Sequence, residues 1–102
     1  PRDFVLKLEF RAGPNADSGI FIRDVQLQCR DYHIAGPYFT QKGYRPLEWN
    51  EVIVTVRGGL AHSTCNGEVI VDAMPVPGTG PIGFESDRGQ VEYRRVRVME
   101  LK

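Results

Sequence analysis

The chain lacks the features that mark several large classes of protein. Its 102 residues include only two cysteines, which are too few for a disulfide scaffold and lack the spacing of a zinc site. No apolar run approaches the roughly 20 residues of a membrane-spanning helix, and we expect no signal peptide at the start of the sequence. Neither charge is in excess, because 13 Lys and Arg balance 13 Asp and Glu. A neutral chain presents no broad basic field, so we expect neither a nucleic-acid nor a membrane partner.

Helical spacing of apolar residues is also missing, since no segment keeps it over two turns. Alternation of apolar and polar residues takes its place, most clearly over 5–11, and 11 glycines and 7 prolines supply frequent turns. Turn signals recur about every 8–12 residues, which is typical of a sandwich or barrel. We therefore predict eight or nine short antiparallel strands in one all-β domain spanning 1–102. The strands identified by pattern are 5–10, 18–23, 24–30, 51–56, 60–65, 68–72, 81–86 and 91–99.

Three segments carry more detailed expectations. The segment 51–56 is β-branched almost throughout, which is typical of a strand covered on both faces. The segment 73–81 predicts a loop rich in proline and glycine. Strict alternation over 91–99 predicts that Tyr93, Arg95 and Arg97 share one face.

Three single residues are interpreted as parts of the core. Cys29 and Cys65 are predicted to be buried free thiols, although a single disulfide between them is left open. Trp49 stands at the entrance to the most apolar strand. A lone tryptophan in that place more often fills the core than offers a platform to a ligand.

Large polar side chains recur on several predicted strands. If these strands are neighbours, one sheet face is lined by amide, guanidinium and carboxylate groups, which suit the paired hydroxyls of a carbohydrate. The loop over 32–44 carries four aromatic residues, whose rings could cover the C–H face of a sugar. The alternative is a solvated face balanced by cross-strand ion pairs. The residues concerned are Glu9, Arg11, Arg23, Gln26, Gln28, Arg30, Glu85, Asp87, Glu92 and Arg94.

Signals for catalysis and for metal binding are weak. No glycine-rich phosphate loop precedes a helix. A pair of carboxylates such as Glu9 and Glu85 could cleave a glycoside only if they stood about 5–9.5 Å apart. We predict no cofactor. A divalent metal is left open, because it would require several of Asp31, His33, Glu85 and Asp87 to converge.

Short motifs follow one another along almost the whole chain. They are 3–11 (DFVLKLEFR), 17–23 (DSGIFIR), 26–31 (QLQCRD), 49–51 (WNE), 66–67 (NG), 80–85 (GPIGFE) and 91–98 (VEYRRVRV). Each motif is modest alone. In this order they resemble the motifs of the 3-keto-disaccharide hydrolase domain family, which is a bacterial family.

That resemblance implies a concanavalin A-like β-sandwich (jelly roll) and activity on 3-keto sugars derived from disaccharides and glycosides. The ketone of such a sugar acidifies the neighbouring C–H bond, so cleavage can proceed by elimination and rehydration. We expect a carbohydrate ligand on a concave sheet face where the functional side chains converge. The catalytic candidates are Glu9, Glu85 and Asp87, and the substrate-binding candidates are Arg23, Gln28, Arg30, Asp31, Tyr38 and Arg94.

The chain also departs from the family pattern. Family members often carry a histidine where Asp87 and Arg88 stand here, and a glutamine at the position of Glu85. A noncatalytic, lectin-like sugar-binding module and a ligand-free structural domain therefore stay as alternatives. Members are usually exported, although the compartment of this chain is not predicted. They are also longer before position 3, so unpaired edges here predict a homodimer formed through exposed sheet edges.

Overall fold

Strands are the only regular secondary structure in the part of the chain that the structure describes. The computed structural model describes residues 3–14, 16–23, 25–30, 41–78, 80, 82–88 and 90–101. Within these ranges no helix is present that could cross a membrane. The strands are β1 (Phe4–Ala12), β2 (Asp17–Ile22), β3 (Val25–Arg30), β4 (Asn50–Arg57), β5 (Leu60–Cys65), β6 (Glu68–Pro75), β7 (Ile82–Arg88) and β8 (Val91–Glu100).

These strands form two antiparallel sheets that pack face to face. The five-stranded sheet, called here the large sheet, has the order β6-β5-β4-β1-β8. The three-stranded sheet, called the small sheet, has the order β3-β2-β7. Hairpins join β2 to β3, β4 to β5 and β5 to β6, whereas every other connection crosses from one sheet to the other. The antiparallel all-β sandwich expected from the sequence is confirmed.

A single apolar core lies between the two sheets. Alternation in β1 buries Leu6, Leu8 and Phe10 completely, while the intervening side chains face outwards. The small sheet contributes Ile20 and Leu27 from the opposite side. Burial of a side chain of this size contributes about 1.5–3 kcal/mol. A slip of one residue would turn the whole row outwards, so alternation specifies the inner face of each strand.

Two expectations about strands are wrong in detail. Strand β4 is covered on one face only, because Val52 is buried and Ile53 is half-exposed. Its β-branched composition reflects strand propensity rather than double burial. The loop predicted over 73–81 begins later, since β6 continues to Pro75, which stands opposite Leu60. β6 is an edge strand, and an edge tolerates the missing N–H of proline.

A β-bulge in β8 breaks the alternation predicted for the last strand. Tyr93 stands opposite Phe10 and Val98 stands opposite Leu6, and the register shifts between these two pairs. Arg95 has a φ of 55° within this irregularity. The extra residue brings Tyr93 and Val98 onto the same inner face although they are five positions apart. The prediction that Tyr93 and Arg97 share a face is therefore wrong.

A buried amide holds the segment 41–49 against the large sheet. Asn50 has no exposure at the start of β4. Its Oδ1 accepts hydrogen bonds from the Arg45 N–H at 2.7 Å and from Asn66 Nδ2 at 2.8 Å. Its Nδ2 donates to the carbonyls of Arg45 and Glu48, each at 2.9 Å. Both polar atoms of the Asn50 side chain are thus satisfied, as burial demands.

The hairpin turn between β5 and β6 supplies the second amide of this network. Asn66 has a φ of 52°, a left-handed conformation that asparagine adopts more readily than most residues. Its Nδ2 also donates to the Gly43 carbonyl at 2.8 Å, and its Oδ1 accepts from the Glu51 N–H at 2.8 Å. The Asn-Gly turn therefore closes a hairpin and also anchors a segment far away along the chain. We call Asn50 and Asn66 with these partners the amide network.

Candidate functional site

The predicted site residues divide between the two sheets. Glu9 and Arg94 belong to β1 and β8 of the large sheet. The apolar core lies between these strands and the small sheet, so the structure does not bring the two groups together. The small sheet holds the positions of Gln28, Arg30, Glu85 and Asp87.

The small sheet is organised around Gly19 in its central strand. Gln28 of β3 and Glu85 of β7 stand directly opposite Gly19 on its two sides. The amide of Gln26 lies over the glycine, because a Cβ atom at position 19 would come within 2.6 Å of Gln26 Nε2 and 3.0 Å of the Leu27 carbonyl oxygen. A larger residue would displace this amide. Gly19 therefore makes room for the Gln26 amide between two of the predicted site positions.

A second bulge shapes one end of the small sheet. The pairing of β2 with β7 shifts between Asp17 and Ser18, which leaves Asp87 as the extra residue of β7. Bulges redirect side chains and are over-represented next to active sites. Arg30, the last residue of β3, stands opposite Asp17 on the other side of β2. The positions of Arg30, Glu85 and Asp87 therefore lie at the same end of the small sheet.

Tyr93 of the large sheet contacts Gly19 from the side of the core. Its hydroxyl donates to the Gly19 carbonyl at 3.3 Å. Its ring packs on Phe84, with centroids 4.9 Å apart, and Phe84 stands opposite Ile20. This contact sets β7 and β2 at a defined position over β8.

Glu9 and Arg94 form an ion pair on the outer face of the large sheet. Glu9 Oε1 accepts from Arg94 Nε at 2.6 Å, and Arg95 Nη1 lies 3.6 Å from Glu9 Oε2. The hydrogen bond from Arg94 is the largest effect on Glu9, and it holds the pKa of this carboxyl below its ordinary value against an opposing effect of desolvation. A carboxyl that loses its proton so readily is a poor general acid.

Trp49 lies on this same outer surface rather than in the core. The guanidinium carbons of Arg94 and Arg11 lie 4.0 and 4.9 Å from its ring centroid, and Arg11 Nη2 bonds Glu92 at 2.7 Å. The prediction that Trp49 fills the core is wrong, because cation–π contacts hold its half-buried ring outside. Sequence reasoning named both arginines without connecting them to the tryptophan. We call Glu9, Arg11, Trp49, Glu92 and Arg94 the ion-pair cluster.

Arg23 is buried, which leaves it little access to a substrate. Only 3% of the residue is exposed. Its Nη1 donates to the Pro77 carbonyl at 2.9 Å, and its guanidinium carbon lies 5.4 Å from the ring centroid of Phe4. Gly80 passes so close that a Cβ atom there would lie 3.0 Å from Arg23. Arg23 therefore fastens the segment after β6 over one end of the core.

The remaining predictions concern three residues of the segment 31–40, a metal site and the two cysteines. Asp31, His33 and Tyr38 lie outside the described residues. Among the residues that the structure does describe, no three His, Cys, Asp or Glu side chains come together in a way that could hold a metal ion. Cys29 and Cys65 are both free and buried, so the structure has thiols rather than the disulfide.

Comparison with known proteins adds a family and a fold. The sequence matches the 3-keto-alpha-glucoside-1,2-lyase-like domain family over residues 1–99, and no curated protein matches it. Two similar crystal structures are of proteins from Parabacteroides distasonis ATCC 8503 that are named as candidate glycosyl hydrolases. One has a TM-score of 0.76 at 15% identity and covers 99% of this chain and 73% of its own. The other has a TM-score of 0.70 at 17% identity, with 96% and 78% covered. At such identities the likeness concerns the fold.

Proposed function

Since this chain belongs to the 3-keto-alpha-glucoside-1,2-lyase-like domain family, we propose that it is a carbohydrate-active domain that takes a 3-keto glycoside on the small sheet. In this proposal Glu85 and Asp87 form the acid–base pair, and Gln28 and Arg30 bind sugar hydroxyls. The observation that carries it is the register that sets Gln28 and Glu85 on either side of Gly19.

The outer face of the large sheet is less suitable for this role. Arg94 engages Glu9 and Arg11 engages Glu92, so a sugar would have to break an ion pair to reach either carboxylate. The lowered pKa of Glu9 also opposes proton donation to a leaving group. The small sheet instead carries the Gln26 amide over the buried Gly19, so a neutral polar side chain lies between the positions of Gln28 and Glu85.

A ketone at C3 makes the C2 proton acidic enough for a carboxylate side chain to remove it. Removal of the C2 proton by one carboxylate places the negative charge on the ketone oxygen as an enolate, which a hydrogen bond from Arg30 or Gln28 would stabilise. The enolate then collapses, forming a C1=C2 double bond and expelling the glycosidic oxygen from C1. That oxygen takes a proton from the other carboxyl group. Addition of water across the double bond would complete a net hydrolysis.

A noncatalytic sugar-binding module is the second candidate. It is favoured by the sequence, since Asp87 and Arg88 stand where members of the resembled family often carry a histidine. Histidine is the side chain whose ordinary pKa suits proton transfer near neutral pH. Without it, the same face would hold the same class of ligand and release it unchanged.

The test is a turnover assay with 3-keto-trehalose and a 3-keto-glucoside, with ligand binding followed separately by NMR titration. We expect turnover by the parent protein and a loss in kcat of about 100-fold or more in Glu85→Gln, the scale of a missing acid or base. Glu9→Gln is the matched control, because it removes a carboxylate of the same size from the other sheet. It should leave kcat/KM nearly unchanged.

Each other outcome decides between the candidates. Binding without turnover would favour the noncatalytic module. Loss of turnover in Glu9→Gln but not in Glu85→Gln would move the site to the large sheet and refute our assignment. If the protein shows neither binding nor turnover, the ligand-free structural domain is the only candidate left.

A further inference from the structure

Both sheets end on the same side of the sandwich. β7 is the last strand of the small sheet and β8 is the last strand of the large sheet, and Phe84 meets Tyr93 across the core between them. In the described part of the chain, neither strand has a partner along its outer edge. Such an edge presents backbone N–H and C=O groups that are ready to pair with another strand.

Apolar side chains lie exposed on these two edge strands. Val98 is 48% exposed although it stands opposite Leu6, which has no exposure at all. Val96 is 44% exposed and Phe84 is 46% exposed. Exposed apolar groups gathered on one side of a small domain indicate an interaction surface.

The two edges carry opposite charge. β8 contains three arginines and two glutamates, whereas β7 contains Glu85, Asp87 and a single arginine. Pairing of β8 with β8 of another copy would bring arginines together around the middle of the strand, which is unfavourable. Pairing of β8 with β7 of another copy sets a net positive strand beside a net negative one. These edges therefore fit a second molecule of the same chain.

We propose that the chain forms a two-fold dimer in which β8 of each copy pairs with β7 of the other. Only two residues separate β7 from β8 along the chain, so the two strands run in opposite directions. A two-fold axis parallel to the strands then makes each intermolecular pair antiparallel. Each junction joins a large sheet to a small one, which gives two continuous sheets of eight strands. The same interface covers the β7 edge and the β8 edge on each copy, as an isologous contact requires.

The test is the mass of the protein in solution, measured by light scattering during gel filtration over a wide range of concentration. We expect twice the mass of one chain. Val98→Lys would place an ammonium group in the interface, so the dissociation constant should rise by about tenfold or more. Val69→Lys is the matched control, because Val69 is also 48% exposed and lies on β6, the opposite edge strand of the same sheet. It should leave the mass unchanged.

A second variant keeps the test decisive if Val98→Lys alters the fold, which circular dichroism would reveal. Arg97 is exposed on β8, and Arg97→Glu removes the charge complementarity while leaving the core intact. It should also weaken the dimer. A parent protein that stays monomeric at the highest concentration overturns the proposal, as does a dimer that Val69→Lys dissociates and Val98→Lys does not. The mass is measured without sugar, so failure here is independent of the proposed function.

Discussion

The amide network and the ion-pair cluster do similar work in different surroundings. Each holds parts of the large sheet and the segment 41–49 together through side-chain contacts. Asn50 does so with no exposure and with four hydrogen bonds at 2.7–2.9 Å. Glu9 and Arg94 do so with side chains that are 17% and 40% exposed.

The contrast between the amide network and the ion-pair cluster shows how these polar groups are distributed. Asn50 is buried and neutral, and it is bonded mainly to backbone in a place where an unmet donor or acceptor is costly. Glu9 and Arg94 are charged and lie on the outer face, where water screens their attraction and limits what the pair contributes. We therefore expect mutations in the two regions to differ in size and in their dependence on pH.

The largest effect is expected from Asn50→Ala. The substitution leaves the Arg45 N–H, two carbonyls and the Asn66 amide without their partner inside the protein. We expect the free energy of unfolding to fall by about 2–4 kcal/mol, as measured by urea denaturation. Asn50→Asp has the same shape but cannot donate, so it should not restore stability. A loss in Asn50→Ala no greater than that in Arg94→Ala would erase the contrast between the regions.

A smaller effect is expected from Asn66, where backbone and side-chain contributions can be separated. Asn66→Ala loses the amide bonds and also places a Cβ-bearing residue without local bonds at a φ of 52°. Asn66→Gly loses the same bonds but accepts that conformation freely. We expect Asn66→Ala to be less stable than Asn66→Gly by about 1 kcal/mol, the usual cost of the left-handed region. Equal stability of the two variants would mean that the turn conformation contributes nothing.

Arg94→Ala tests the difference between the two regions through the pH dependence of stability. Because Arg94 lowers the pKa of Glu9 in the folded state, the stabilisation is present above the unfolded value of 4.5 and is lost as the pH falls through the folded pKa. The variant should raise the pKa of Glu9, seen by carboxyl NMR titration, and should flatten the acid side of the stability curve. Arg57→Ala removes an exposed arginine elsewhere on the large sheet and serves as control. An unchanged Glu9 titration in Arg94→Ala would contradict the ion pair.

The smallest effect is expected at the two thiols, which are buried like Asn50. Desolvation raises the pKa of Cys65 to about 12 and raises the pKa of Cys29 even more strongly. Both thiols should therefore resist alkylation in the native state at mildly alkaline pH and react only after unfolding. A reducing agent should leave the melting temperature unchanged. Rapid labelling of the folded protein would show that the core opens at this point.

Much of the fold could be predicted because its signals are local. Alternation over 5–11 gave the buried row of β1, and the Asn-Gly pair predicted the hairpin between β5 and β6. The bulge at Arg95 could not be predicted in this way, because its only signal is the register against β1. The burial of Trp49 was predicted wrongly for the same reason, since its position depends on two arginines from other strands.

Prediction of the candidate site requires information from residues that are even farther apart along the chain. Glu9 and Glu85 have the same side chain and occupy similar places in similar strands, and nothing local tells them apart. β1 joins the large sheet and β7 joins the small one, so the two carboxylates belong to different sheets. Arg23 stands at the end of a strand motif that predicts an accessible guanidinium, yet the segment around Gly80 covers it.

The amino-acid sequence by itself determined that the chain forms short antiparallel strands with one apolar face each. This follows because a period of two allows only one side of a strand to be buried. The tertiary structure alone decided which strands share a sheet and which polar rows stand together. Strand pairing joins residues that are up to 96 positions apart, such as Phe4 and Glu100. Only the folded arrangement as a whole, in which every pair must fit at once, selects among such partners.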